Sequence, residues 1–129
     1  MSPNEIVNVR YMVNDVAEAV EFYSTHFGFQ PGPGFSSPAF ADVSKDNLRL
    51  LLSGPASSAG RPMPDGVVPG PGGWNRIHFI TSDLDAEIAR LKGEGVRFRN
   101  EIVNGPGGRQ ILVEDPSGNV IELFQPAFR

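Results

Sequence analysis

Three side chains of this 129-residue sequence have the types and the spacing for chemistry. They are Arg76 and His78, two residues apart in the run RIHFIT, and Glu122, set between Ile121 and Leu123. Residues i and i+2 of a strand share a face, so Arg76 and His78 point the same way while Glu122 points away from its apolar neighbours. An imidazole is the side chain suited to proton transfer near neutral pH, which makes His78, with Glu122, the catalytic candidate. Its alternative is a hydrogen-bonded wall histidine. His26 falls in the last turn of an expected helix, where a cation is favourably placed against the helix dipole. A carboxylate withdrawn from water at position 122 needs a partner.

Other chemistries are excluded by what the sequence does not contain. Cysteine is absent, which removes disulfides, thiolate metal ligands and a cysteine nucleophile together. The glycine runs Gly70-Pro71-Gly72-Gly73 and Gly105-Pro106-Gly107-Gly108 lack the spacing and the following helix of a phosphate loop, and no GxSxG elbow occurs. With a net charge of −4 and no basic run interleaved with aromatics, nucleic acid is not an expected partner. No apolar run approaches the roughly 20 residues that span a bilayer, so no membrane association is expected. The start, MSPNEIVNVRYMV, has no cationic segment leading into a long apolar one, and the expected location is the cytoplasm.

The elements that must position these residues come in two similar sets. Residues 6–13 alternate as a strand, with Val7, Val9, Tyr11 and Val13 on one side and Asn8, Arg10 and Met12 on the other. Asp15, with Glu18 three residues on, opens a helix whose stripe is Val16, Ala19, Val20 and Tyr23, stopped by Gly28. Phe22, Phe27 and Phe29 read as packing around its end. The pattern returns 68 residues later: 76–81 alternate, Asp83 opens a helix with the stripe Leu84, Ile88 and Leu91, and Gly95 ends it. In the register that pairs Asn8 with Arg76, the apolar positions coincide although identity is almost nil.

Short strands are expected after each helix, at 39–43 and 48–52 in the first half and at 96–103, 109–114 and 120–125 in the second. Asn104 to Gly108 and Asp115 to Asn119 supply the turn chemistry between them. Residues 54–73 hold five prolines and six glycines, a linker with the option of acting as a lid. A half of about 60 residues buries little by itself. The expected organisation is therefore one domain over 1–129, with half-modules at about 5–53 and 74–126. Helices cover one sheet face, and the other face curves around a space where ligands bind.

Three segments, VRYMVNDVAEAVEFYSTHFGF, RIHFITSDLDAEIARLKGEGVRF and VEDPSGNVIELF, resemble glyoxalase I, bleomycin-resistance proteins and extradiol dioxygenases, the vicinal oxygen chelate superfamily. The DPSGN turn before the IEL strand is the most specific of them. The resemblance implies an α+β fold of paired βαβββ modules forming a curved open sheet or barrel around a cavity, with helices outside. That cavity holds a divalent metal in the enzymes or a captured drug in the resistance proteins. The enzymes' four ligand positions align with Asn8, either Arg49 or Leu51, Arg76 and Glu122. Only Glu122 is a good ligand, since a guanidinium has donors only and stays charged. One amide and one carboxylate fall short of the three or four ligands of a catalytic metal site. No metal site or cofactor is expected, and a divalent ion is disfavoured.

The resemblance also suggests an Arg–Glu ion pair between Glu122 and Arg76 or Arg10 in the space a metal holds in the enzymes, either structural or part of a binding site. Trp74, the sole tryptophan, reads as a stacking platform or as a residue pinning the linker. Met12, Phe40 and Phe124 read as apolar lining or as ordinary core. The expected function is metal-independent capture of an apolar or aromatic small molecule such as an antibiotic, by a homodimer. The ligand-binding candidates are Asn8, Arg10, Met12, Phe40, Arg49, Trp74, Arg76, His78, Glu122 and Phe124. The alternative is a glyoxalase-like lyase, isomerase or dioxygenase using a non-standard metal or acid/base site.

Overall fold

The structure, a computed structural model, describes residues 5–32 and 37–127. It contains two helices and two mixed sheets of four and five strands, an α+β arrangement. The chain divides into two compact units, 1–72 and 73–129, and each of the two expected half-modules falls within one of them.

In the first unit, β1 (Val7–Met12) leads to α1 (Val16–Phe27), followed by β2 (Gln30–Pro31), β3 (Phe40–Lys45) and β4 (Leu48–Ser53). The sheet order is β1-β4-β3-β2. β1 runs parallel to β4, and the other pairs are antiparallel. The helix begins where the sequence says it should, because the Asp15 carboxylate accepts the Glu18 N–H at 2.9 Å. It ends at Gly28, whose φ of 72° is a conformation that side-chain-bearing residues resist. Tyr11, Ala41, Val43, Leu50 and Leu52 form the buried sheet face under Val16, Ala19, Phe22, Tyr23 and Phe27, and the Tyr11 and Tyr23 rings meet edge-on at 6.2 Å. Val7, expected on the packing side, lies at the start of the edge strand and is exposed. The short β2 has no pattern of its own in the sequence, being only two residues long.

In the second unit, β5 (Ile77–Ile80) and α2 (Leu84–Gly93) are followed by β6 (Arg97–Phe98), β7 (Val103–Gly105), β8 (Gly108–Glu114) and β9 (Val120–Pro126). The order is β5-β9-β8-β6, with β7 also pairing β8. Here again the first strand of the unit runs parallel to the last. Asp83 caps α2 through the Ala86 N–H, and the Gln125 side chain takes the Leu84 N–H at 2.8 Å, tying the helix start to β9. Leu84 and Leu91 are buried over the face that carries Ile77, Ile111, Val113, Ile121 and Leu123.

The single strand expected at 96–103 is two strands, and the register on β8 shifts by two residues between them. The cause is Asn100. Arg99 N–H still donates to the Leu112 carbonyl, but the returning Leu112 N–H is taken by Asn100 Oδ1 at 2.9 Å instead of by a backbone carbonyl. The DPSGN turn is organised by buried Asp115, whose carboxylate accepts the Ser117 and Asn119 N–H groups and the Asn119 side-chain amide. In the linker, only Ser58–Gly60 form a 3-10 turn.

Candidate functional site

The β5–β9 ladder sets His78 directly opposite Glu122, and Ile80 opposite Phe124. Across β9, Glu122 faces Leu112 of β8. Arg76, just before β5, falls on the same helix-distal face by alternation. Glu122 is 7% exposed, and both of its oxygens are engaged. Arg76 Nε donates to Oε1 at 2.9 Å, with Nη2 also 2.9 Å from that oxygen, while His78 Nε2 lies 3.3 Å from Oε2. The buried carboxylate is thus held by a guanidinium fork on one side and an imidazole on the other.

Aromatic surface borders this polar centre. The His78 ring lies against Phe124, centroids 4.9 Å apart. Arg76 Nη1 donates to the Trp74 carbonyl at 3.2 Å, and the Trp74 side chain is exposed. A guanidinium from Arg99 lies over the indole, 4.8 Å from its centroid, and pairs with Glu114 at 3.2 Å. Arg97 reaches the same Glu114 at 3.7 Å. Neither Arg99 nor Glu114 stands out in the sequence. Arg99 continues the β6 register, its N–H on the Leu112 carbonyl, and so falls on the same face as Arg97 opposite Glu114.

The first unit gathers the other candidates on the helix-distal face of its own sheet. Asn8 pairs with Arg49, Arg10 with Leu51 and Met12 with Ser53 along β1 and β4, while Phe40 pairs with Ser53 from β3. Arg49 Nε donates to Asp42 Oδ2 at 2.8 Å, so its charge is met by a buried carboxylate that sequence reasoning did not single out. Arg10 Nη1 donates to the Ser53 hydroxyl of the neighbouring strand at 2.8 Å. Asn8 is exposed, and Met12 and Phe40 are half-buried. A cleft of about 730 Å³ beside the start of α1, lined by Asn14, Val20, Ser37 and Pro38 among others, includes none of these candidates.

The ladders also decide between Arg49 and Leu51. In the 68-residue register Arg10 corresponds to His78, and Arg10 faces Leu51 as His78 faces Glu122. Leu51 is therefore the counterpart of Glu122 and carries no donor atom. Among the described residues no three His, Cys, Asp or Glu side chains come together. Within the second unit, Arg76 Nε and Nη2 both lie against Oε1 of Glu122, and a guanidinium, which has donors only, is no ligand for a cation. As an acid/base arrangement, the cluster offers an imidazole oriented by a carboxylate whose charge Arg76 already balances.

No curated protein matches the chain. Solved structures do. TnmS3, an antibiotic binding protein from Streptomyces sp. CB03234, is 29% identical over 98% of this chain and 99% of its own, with a TM-score of 0.71. A member of the glyoxalase/bleomycin resistance protein/dioxygenase superfamily from Sphaerobacter thermophilus DSM 20745 is 27% identical over 93% and 95%, TM-score 0.72. Lactoylglutathione lyase from Agrobacterium tumefaciens shares the fold at 20% identity over 96% and 95%, TM-score 0.72. The family model of the glyoxalase/bleomycin resistance protein/dioxygenase superfamily matches residues 5–123. With its repeated parallel first-to-last strand pairing and its Asp115 turn, the chain belongs to the glyoxalase/bleomycin resistance protein/dioxygenase superfamily.

Proposed function

We propose that this protein captures an apolar or aromatic small molecule without using a metal, antibiotic sequestration being the concrete form. The observation that carries this reading is the setting of Glu122: buried, paired with Arg76, whose Nη1 reaches the Trp74 carbonyl, and beside His78, whose ring lies against Phe124. Such a centre can orient a ligand by hydrogen bonds while aromatic faces take most of its area. The similarity to TnmS3, an antibiotic binding protein, supports the same reading.

The test combines metal analysis with ligand binding followed by the fluorescence of Trp74, the sole tryptophan. The expected result is no near-stoichiometric metal after exposure to Ni, Zn, Fe and Mn, and saturable quenching by at least one aromatic compound of a screen. One tightly held divalent ion per chain, lost in Glu122→Gln, overturns the proposal.

A second reading is favoured by one contact, His78 Nε2 at 3.3 Å from Glu122 Oε2. It gives the imidazole the orienting partner that an acid/base catalyst requires, and turnover of a bound compound would establish it.

A further inference from the structure

We propose that Trp74 is a stacking platform for planar aromatic anions and that Arg99 is its positioning residue. The inference rests on the binding reading above and names the ligand class of that site.

Trp74 is held at both ends. Its carbonyl accepts from Arg76, which is anchored on Glu122 of β9. Its ring lies over the Arg99 guanidinium, which pairs with Glu114 of β8 and whose backbone N–H donates to the Leu112 carbonyl. A chain of contacts therefore runs Glu122, Arg76, Trp74, Arg99, Glu114 and fixes an indole that is nonetheless 62% exposed. A large hydrophobe fixed yet left in water is pre-organised for a partner, because the entropy of ordering it is already spent. One indole face is against the guanidinium, so the face available for stacking is the other.

The charges choose the partner. Two guanidiniums contact Trp74, Arg76 at its carbonyl and Arg99 at its ring, and a third, from Arg97, shares Glu114 with Arg99, against two carboxylates, from Glu114 and Glu122. The cluster thus carries an excess positive charge in a chain whose net charge is −4. A cation beneath the indole also draws its π density down, which favours an electron-rich ring above. Together the two effects point to an aromatic carboxylate or an ionised phenol ahead of a neutral or cationic ring.

Equilibrium dialysis of the intact protein against 2-naphthoate and its neutral isostere 2-naphthamide tests the inference. The expected result is a preference for the anion of about fivefold, the scale of one exposed cation–π contact. Arg99→Met should abolish that preference and lower the fluorescence anisotropy of Trp74 in the free protein, while Arg99→Lys should keep the preference; circular dichroism checks that both variants fold. Equal or better binding of the amide overturns the ligand class and leaves the binding reading standing. Unchanged anisotropy in Arg99→Met overturns the positioning role. Binding of neither probe overturns the platform, and the wider screen, which includes neutral polycycles, then decides the binding reading separately.

Discussion

His78 and Glu122 are partners in the parallel β5–β9 ladder, and their side chains meet on one face with Nε2 3.3 Å from Oε2. The same imidazole rests against Phe124. Its orientation is thus set on one edge by charge and on one face by packing. The carboxylate that orients it is shared with Arg76, which takes Oε1 while the imidazole faces Oε2.

This sharing separates the two functional readings. His78→Phe keeps an aromatic ring against Phe124 and deletes the nitrogens. Aromatic ligand affinity should change by less than about threefold, within the scatter of a conservative contact change, while any turnover should vanish. Dialysis and a product assay on the same preparation measure both.

Arg76→Met should destabilise the protein by about 3 kcal/mol, because it leaves a buried carboxylate with only the imidazole beside it. Combining it with Glu122→Leu should bring stability back to within about 1 kcal/mol of the parent, since an apolar pair at such a site is often neutral. Urea unfolding of both single variants and the double variant checks the cycle. Loss of ligand affinity in folded Arg76→Met would place the pair in binding rather than in stability alone.

Asp85 on α2 pairs with Arg109 of β8 at 3.1 Å. The hydrogen bond and the charge of Arg109 hold the Asp85 carboxyl below its ordinary value of 3.8. A depressed native value means that the pair's contribution is present above the unfolded value and is lost as pH falls through the native one. The expected outcome is an NMR titration midpoint for Asp85 below 3.8 that returns to it in Arg109→Ala. Stability at neutral pH should hardly change, because both groups lie in water.

Gly108 opens β8 with φ of +152°, and a Cβ there would collide with the Gln125 carbonyl oxygen and come 2.9 Å from the Phe124 ring. Gly108→Ala should lower stability by at least about 2 kcal/mol. It should also disturb the His78–Phe124 contact, visible as changed ring chemical shifts of Phe124. A variant with parental stability and an unshifted Phe124 would show that the hairpin end yields freely.

Much of this arrangement is readable from residue order alone. Both helix starts follow from an aspartate whose carboxylate meets a backbone N–H three residues on, a local rule that needs no tertiary knowledge. Arg76, His78 and Glu122 follow from period-2 alternation and one family alignment. Asp42 does not, because a carboxylate in a strand becomes a partner for Arg49 only once β3 and β4 are in register. Arg99 is hidden for a related reason. Its place under Trp74 depends on the register of β6 on β8, from Arg97 opposite Glu114 to Arg99 opposite Leu112, and so short a strand has no pattern of its own in the sequence.

The pairing of β5 with β9 has a consequence for synthesis. Among the described residues the strand at 77–80 pairs with 121–124 alone, so for more than forty residues of translation the nascent unit lacks that match for its first strand. Glu122 arrives with that last strand, and until then Arg76 lacks this counter-charge and His78 the carboxylate that faces it. The polar centre and the closing of the ladder are therefore a single late event, and a ribosome stalled before residue 120 would present both the bare strand and the unpaired cation to chaperones and proteases.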